Sequence, residues 1–190
     1  MTIRSSYSNT PVWRDIHVHA ILPEKLQFLD EMAHNLWWVW NGRAKSVFKR
    51  LDPEGWRKNH QNPVALLQNL TTERIEEILD DTEFFEEAHE AYRIFKDYMS
   101  KPYDTTRPSV AYFSMEYGLT HVLKIYSGGL GVLAGDYLKE ASDSCVDLTG
   151  VGFLYRYGYF SQNLSVDGQQ IANYEAQNFG TLPIIQVTDE

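Results

Sequence analysis

The residues best suited to chemistry in this chain cluster between Glu116 and Gly131. Ser127-Gly128-Gly129-Leu130-Gly131 is a glycine turn, and Leu133, Tyr137, Leu138, Ala141 and Cys145 follow it as the expected buried side of a helix. Glycines let backbone approach a ligand closely, and the unbonded N–H groups at a helix start favour an anion. A phosphate, a pyrophosphate or a sugar hydroxyl could dock there. The pattern is Gly-Gly-x-Gly, so it fits neither the dinucleotide fingerprint nor the phosphate loop that ends in Gly-Lys-Ser/Thr. On spacing alone, a tight structural bend would need the same glycines. Glu116 closes the apolar run Val110 to Met115. A carboxylate at a strand's C-terminal end points into the crevice where α/β folds bind ligands.

Other candidates are weaker. Trp37, Trp38 and Trp40 crowd one segment, and Tyr155, Tyr157, Tyr159 and Phe160 crowd another. Sugar rings stack on aromatic faces, but the tryptophans also continue an apolar stripe, which reads as core packing. His17 and His19 could share a strand face, yet no third ligand lies near in sequence, so no metal site is expected. Asp136 and Asp143 sit in the helix after the turn and read as surface residues. No Ser–His–Asp or Cys–His arrangement is legible.

The elements that must position the turn fall into two halves. Nine of the twelve glycines lie from Gly118 to Gly168, and six of the seven prolines lie at or before Pro108. Helices with proline-marked ends are therefore expected first, then strands and tight turns. Pro23 should open a first helix, with Leu26, Leu29, Ala33, Leu36, Trp37 and Trp40 on one face and Asn41-Gly42 as its stop. Asp52-Pro53 and Asn62-Pro63 read as further helix starts. Phe84, Ala88, Ala91, Tyr92, Phe95, Tyr98 and Met99 form the stripe of a last long helix that ends at Lys101-Pro102. Residues 103–109 read as a linker. Val110–Met115 and Leu148–Phe153 have the apolar continuity of buried strands, and Tyr155–Phe160 reads as an aromatic continuation. Strand, glycine turn, helix, strand is the start of a parallel α/β layer. The last residues, PIIQVTDE, read as a strand entering a turn rather than a domain's natural end.

Composition limits the partners. The net charge of −9 argues against nucleic acid or anionic lipid as a ligand. Residues 71–99 hold much of that charge and read as a solvated helix face. With 43% hydrophobic residues the chain can build a core. The single cysteine, Cys145, allows no disulfide framework and fits a reducing cytoplasm. No stretch has the length of a membrane span or the pattern of a signal peptide. A cytoplasmic protein without a membrane partner is expected.

The same residues carry a family resemblance. Ala111-Tyr112-Phe113-Ser114-Met115-Glu116-Tyr117 resembles the Tyr-Leu-Ser-Leu-Glu-Phe signature near the start of the glycogen phosphorylase core. Gly128-Gly129-Leu130-Gly131 followed by Leu133-Ala134 resembles that family's glycine loop, and the stretch from Gly150 to Gln162 resembles its next strand pair. Leu36-Trp37-Trp38-Val39-Trp40-Asn41, Arg50-Leu51-Asp52-Pro53-Glu54 and Asn62-Pro63-Val64 resemble the helical front of the bacterial and archaeal α-glucan phosphorylases. Nearly the whole chain is covered.

The resemblance implies an α/β protein whose helical N-terminal region (1–102) and linker (103–109) lead into the beginning of a Rossmann-like GT-B lobe (110–190), truncated before its end. It implies phosphorolysis of terminal α-1,4-glucosyl units by inorganic phosphate to glucose 1-phosphate, with pyridoxal phosphate as cofactor. Carried over by motif, Gly129 would donate its backbone N–H to a phosphate group. Leu130 would line the glucosyl pocket, Gly128 and Gly131 would permit close approach, and Glu116 would border the crevice. The lysine that holds the cofactor lies in the family's second lobe, so the chain alone is expected to be inactive. Partners would be an α-1,4-glucan and phosphate, and a homo-oligomer is left open. Three positions differ from the family pattern: Gly118 stands for a tyrosine, Ser127 for an asparagine before the loop and Arg156 for a carboxylate. Two other readings remain open. One is a glycogen or starch synthase using a nucleotide sugar, although that family usually has a lysine where Tyr126 stands. The other is a non-catalytic glucan-binding module. An unpaired strand edge should make the chain associate or be marginally stable.

Overall fold

The computed structural model describes residues 21–188. His17 and His19 lie outside them.

Six α-helices form the front half: α1 (Gln27–His34), α2 (Gly42–Leu51), α3 (Pro53–Lys58), α4 (Pro63–Gln68), α5 (Thr72–Leu79) and α6 (Thr82–Met99). Side-chain caps decide where most of them begin. Asn41, Asp52, Asn62, Thr71 and Asp81 each accept a backbone N–H from the first turn of the helix that follows. Proline occupies the opening turn of α3 and α4 as expected.

Two caps revise the sequence reading. The helix expected from Pro23 to Trp40 is broken at Asn35, whose side chain accepts the N–H of Trp37 and starts a separate 3-10 turn, Leu36–Val39. Asn41-Gly42 is not only a stop: Asn41 caps α2, a helix the apolar spacing did not reveal. Short polar side chains at these points supply backbone acceptors that continuous helix would not use.

Leu29, Met32, Trp38, Phe48, Leu51, Ile78, Phe84 and Phe95 are buried in one core. Trp38 donates its indole N–H to Ala33 O (3.2 Å) and meets Trp56 edge-on, and Trp37, Trp38 and Trp56 are core residues. Arg50 fastens α2 to the start of α6 through Asp81, Glu83 and Glu87. Met99, expected in the α6 stripe, is exposed at that helix's last residue.

The second half is built from β1 (Val110–Phe113), α7 (Gly129–Asp143) and β2 (Leu148–Val151). β1 and β2 pair in parallel, Val110 opposite Leu148 and Phe113 opposite Val151, with α7 as the crossover. An antiparallel hairpin follows, β3 (Ser161–Leu164) with β4 (Gln170–Asn173). It turns at Gly168, whose positive φ of 77° suits glycine. Among the described residues these are two separate two-stranded sheets rather than one growing sheet. Tyr155–Phe160 forms no strand, and Pro183–Val187 has no regular structure.

The expected burial of the strands is corrected. Phe113 is 72% exposed, and Val151 and Phe153 are also exposed. Among the described residues each of these strands pairs along one edge only.

The helical layer and the α/β part share a core. Val122, Leu123 and Leu182 join the helical cluster. Asn62 donates to Thr181 O (2.8 Å) and Gln68 to Gly180 O (2.7 Å). The Tyr98 hydroxyl lies 2.8 Å from Ser142 Oγ and 2.7 Å from Asp143 Oδ1, tying α6 to the end of α7.

Candidate functional site

The glycine turn is held from three sides. Behind it, Val122 and Leu123 are sunk in the helical core. That pair anchors the segment running up to Ile125, whose carbonyl accepts the N–H of Tyr117 (3.4 Å). Sequence reasoning overlooked this anchor. Its signal was the short apolar pair Val122-Leu123 between polar residues just before the turn.

Beneath the turn, α7 packs backbone to backbone on the chain after β1. Gly118 N donates to Gly131 O (2.7 Å). A Cβ on Gly135 would stand 2.6 Å from Gly118 C, and one on Gly118 would stand 3.1 Å from Val132 Cα. These contacts explain why Gly118 is small. They also set the rotation of α7. Its buried residues are Gly131, Ala134, Gly135 and Ala141, whereas Leu133 and Tyr137, expected inside, are exposed. Small residues with i, i+4 spacing let the helix come closer than a leucine face could.

On the third side stands Glu116, three residues past the end of β1 and partly buried. Its Oε1 accepts the Ser127 hydroxyl (2.8 Å) and its Oε2 the Ser127 N–H (3.3 Å). The Ser127 hydroxyl is the main cause that holds this carboxyl below the usual glutamate range, followed by the Ser127 N–H. Burial opposes the shift, and the Gly128 and Gly131 amides add to it. Ser114 Oγ donates to Glu116 O (2.9 Å) and fixes the main chain there. The neighbouring Tyr117 hydroxyl donates to Tyr112 O and so ties this bend to β1.

The glycines divide by role. Gly131 is buried, and a Cβ there would meet Tyr126 Cβ and Glu116 Oε2, so it serves packing within the chain. Gly128 and Gly129 face open space. Leu130 is 61% exposed. The first bond into α7 runs from Val132 N to Gly128 O (3.2 Å). Among the described residues the N–H groups of Gly129 and Leu130 have no acceptor. The turn therefore leaves two amides at a helix start without acceptors among the described residues, and unbonded N–H groups at a helix start favour an anion.

The remaining candidates are not brought to this site. Asp136 pairs with Lys139 on the helix surface (3.5 Å), and Asp143 is engaged by Tyr98. Tyr155 donates to Met115 O (3.0 Å), near the base of Glu116, and Tyr157 pairs in a bridge with Ala176. No group of three His, Cys, Asp or Glu among the described residues could hold a metal. No helix among them is long and apolar enough to cross a membrane.

The amino-acid sequence is similar to those of several known proteins. The chain is 40% identical over 180 residues to the maltodextrin phosphorylase of Thermococcus litoralis, covering 91% of this chain and 22% of the relative. It is 44% identical over 164 residues to the glycogen phosphorylase of Aquifex aeolicus, covering 84% of this chain and 23% of the relative. It is 40% identical over 188 residues to the glycogen phosphorylase of Mycobacterium tuberculosis, covering 93% and 22%. The chain thus spans between a fifth and a quarter of the length of these relatives. The family described as "Protein of unknown function (DUF3417)" matches residues 22–123, the helical layer through to the Val122-Leu123 anchor. That match covers over half of the sequence, and the chain belongs to the DUF3417 family.

Proposed function

We propose that this chain is the front part of an α-glucan phosphorylase, which splits terminal α-1,4-glucosyl units from glycogen or maltodextrin with inorganic phosphate and releases glucose 1-phosphate. The observation that carries the reading is the open glycine turn, whose Gly129 and Leu130 amides have no acceptor among the described residues at the start of α7. The identity to named phosphorylases over most of the chain supports it. The parallel β1–α7–β2 unit supports the finer reading that residues 110–190 begin a Rossmann-like GT-B lobe.

In this reading the outer amides hold negative charge on a phosphate. Oriented N–H dipoles stabilise charge without reorganising, which is why a rigid turn suits the task. The exposed Leu130 side chain forms an apolar wall beside them, on the glucosyl side. Gly128 and Gly129 leave room, since a Cβ at either would meet nothing within 4 Å among the described residues. Pyridoxal phosphate fits the same donors through its phosphate group, and when bound it supplies a proton-exchanging phosphate. The lysine that holds it and a second lobe come from beyond these residues. The chain by itself contributes position and electrostatics, and we expect it to be inactive alone.

The test is the intact reading frame, loaded with pyridoxal phosphate and given maltodextrin and phosphate. Glucose 1-phosphate is the expected product. Glucosyl transfer from a nucleotide sugar, with none from glucan and phosphate, would replace this reading with a synthase.

A further inference from the structure

The structure divides the donors of the turn into two sets. Glu116 takes the inner set. Ser127 gives it both its hydroxyl (2.8 Å) and its N–H (3.3 Å). A Cβ on Gly131 would lie 3.1 Å from Glu116 Oε2 and 3.2 Å from Glu116 Cβ, so the carboxylate rests against the inner side of the first turn of α7. The outer set, Gly129 and Leu130, stays open. Glu116 is also held at its main chain. Its carbonyl accepts the Ser114 hydroxyl, and its N–H lies 3.4 Å from the same oxygen.

We propose that Glu116 and Ser127 form a latch: the carboxylate caps the inner donors of the turn from just past the end of β1 and thereby fixes the aim of the Gly129 and Leu130 amides. Both are positioning residues rather than contacts of the ligand. A carboxylate beside an anion site would repel the anion, and the donors gathered on Glu116 offset part of its charge. The latch also gives Ser127 a task. Its hydroxyl reaches Glu116 Oε1 while its own amide reaches Oε2, so one residue closes both ends of the carboxylate. The role of the aimed amides rests on the phosphorylase reading, but the latch itself does not.

Amide hydrogen exchange on the chain tests it directly. Ser127→Ala removes one donor, Ser127→Thr keeps the hydroxyl, and Glu116→Gln keeps the shape with less charge. Losing one such hydrogen bond should speed exchange at Gly128 and Gly131 about five-fold in Ser127→Ala. Ser127→Thr should restore the wild-type rate, Glu116→Gln should resemble Ser127→Ala, and Leu138 and Lys139 in the middle of α7 should not change. Unchanged exchange at Gly128 and Gly131, or equal acceleration at Leu138 and Lys139, would overturn the latch. In the intact protein, Ser127→Ala should raise KM for phosphate about five-fold, more than it lowers kcat. Altered exchange without any glucose 1-phosphate release would keep the latch and remove the phosphorylase reading. Phosphorolysis with unaltered exchange would do the reverse.

Discussion

Gly135→Ala separates a packing account of the α7 start from a helix-propensity account, because the two predict opposite signs. In isolation, alanine in a helix interior is favoured over glycine by about 1 kcal/mol. Here the new Cβ would stand 2.6 Å from Gly118 C and 3.0 Å from Gly118 N, against ordinary contact at 3.4 Å or more. Both partners are backbone, and Gly118 is already bonded to Gly131 O at 2.7 Å. Neither side can yield by rotating a side chain. The helix must lift by about 1 Å, and overpacking of this kind costs about 1–3 kcal/mol. Because the clash is with backbone, the upper part of that range applies, about 2–3 kcal/mol, and after the propensity gain a net loss of about 1–2 kcal/mol remains. Urea unfolding of the chain followed by circular dichroism reads that loss as a lower midpoint. The functional effect should be larger. A shift of about 1 Å in the aim of the Gly129 and Leu130 amides can cost about a hundred-fold in rate, to be measured in the intact protein. A Gly135→Ala chain as stable as wild type, or more stable, would refute the reasoning.

Further outcomes follow from the same contacts. Trp38→Ala should lower unfolding stability by about 3–5 kcal/mol, because Trp38 is fully buried and donates to Ala33 O; denaturant titration checks this. The Tyr98 hydroxyl is pushed from 10.0 up to about 12, first by burial and then by Asp143. A raised pKa on this neutral acid stabilises the fold below pH 10.0, and that stability is lost as pH rises towards about 12. Tyr98→Phe should flatten that alkaline loss in a stability–pH profile. The exposed apolar residues of β1, α7 and β2, including Phe113, Leu133 and Val151, should make the isolated chain associate. Sedimentation over a concentration series should show weight-average mass rising, and a single monomer throughout would contradict this.

How much of this was legible in the sequence depended on whether the deciding physics was local. Asp52-Pro53 and Asn62-Pro63 declared α3 and α4, because a cap and a proline act within one turn. The stripe from Phe84 to Phe95 declared the buried face of α6. Residues 110–151 were legible as strand, glycine turn, helix and strand for the same reason. Asn41 was read only as a stop and Asn35 was passed over, because an asparagine can end one helix or begin the next, and only the bond to Trp37 N or Ala44 N decides. The exposure of Phe113 and Val151 could not be read from their apolar runs. Such runs record what a strand can bury, not whether a neighbour covers it. The buried face of α7 was misjudged at Leu133 and Tyr137 because the contact that decides it is long-range, Gly135 against the Gly118 backbone.

At the candidate site, the glycine turn and Glu116 could be chosen by residue type and spacing. Their division of labour could not. Gly131 turns inward against Tyr126 and Glu116 while Gly128 and Gly129 look outward, and one repeated residue type gives no sign of that difference. The Glu116–Ser127 pairing joins residues eleven apart across a bend, a spacing with no helix or strand period.

The most direct measurement is phosphate-dependent release of glucose 1-phosphate from maltodextrin by the intact protein carrying pyridoxal phosphate. The account predicts product that forms only when phosphate, glucan and cofactor are all present, and that falls sharply in Gly135→Ala. An intact, folded, cofactor-loaded protein that binds maltodextrin and releases no glucose 1-phosphate would contradict it.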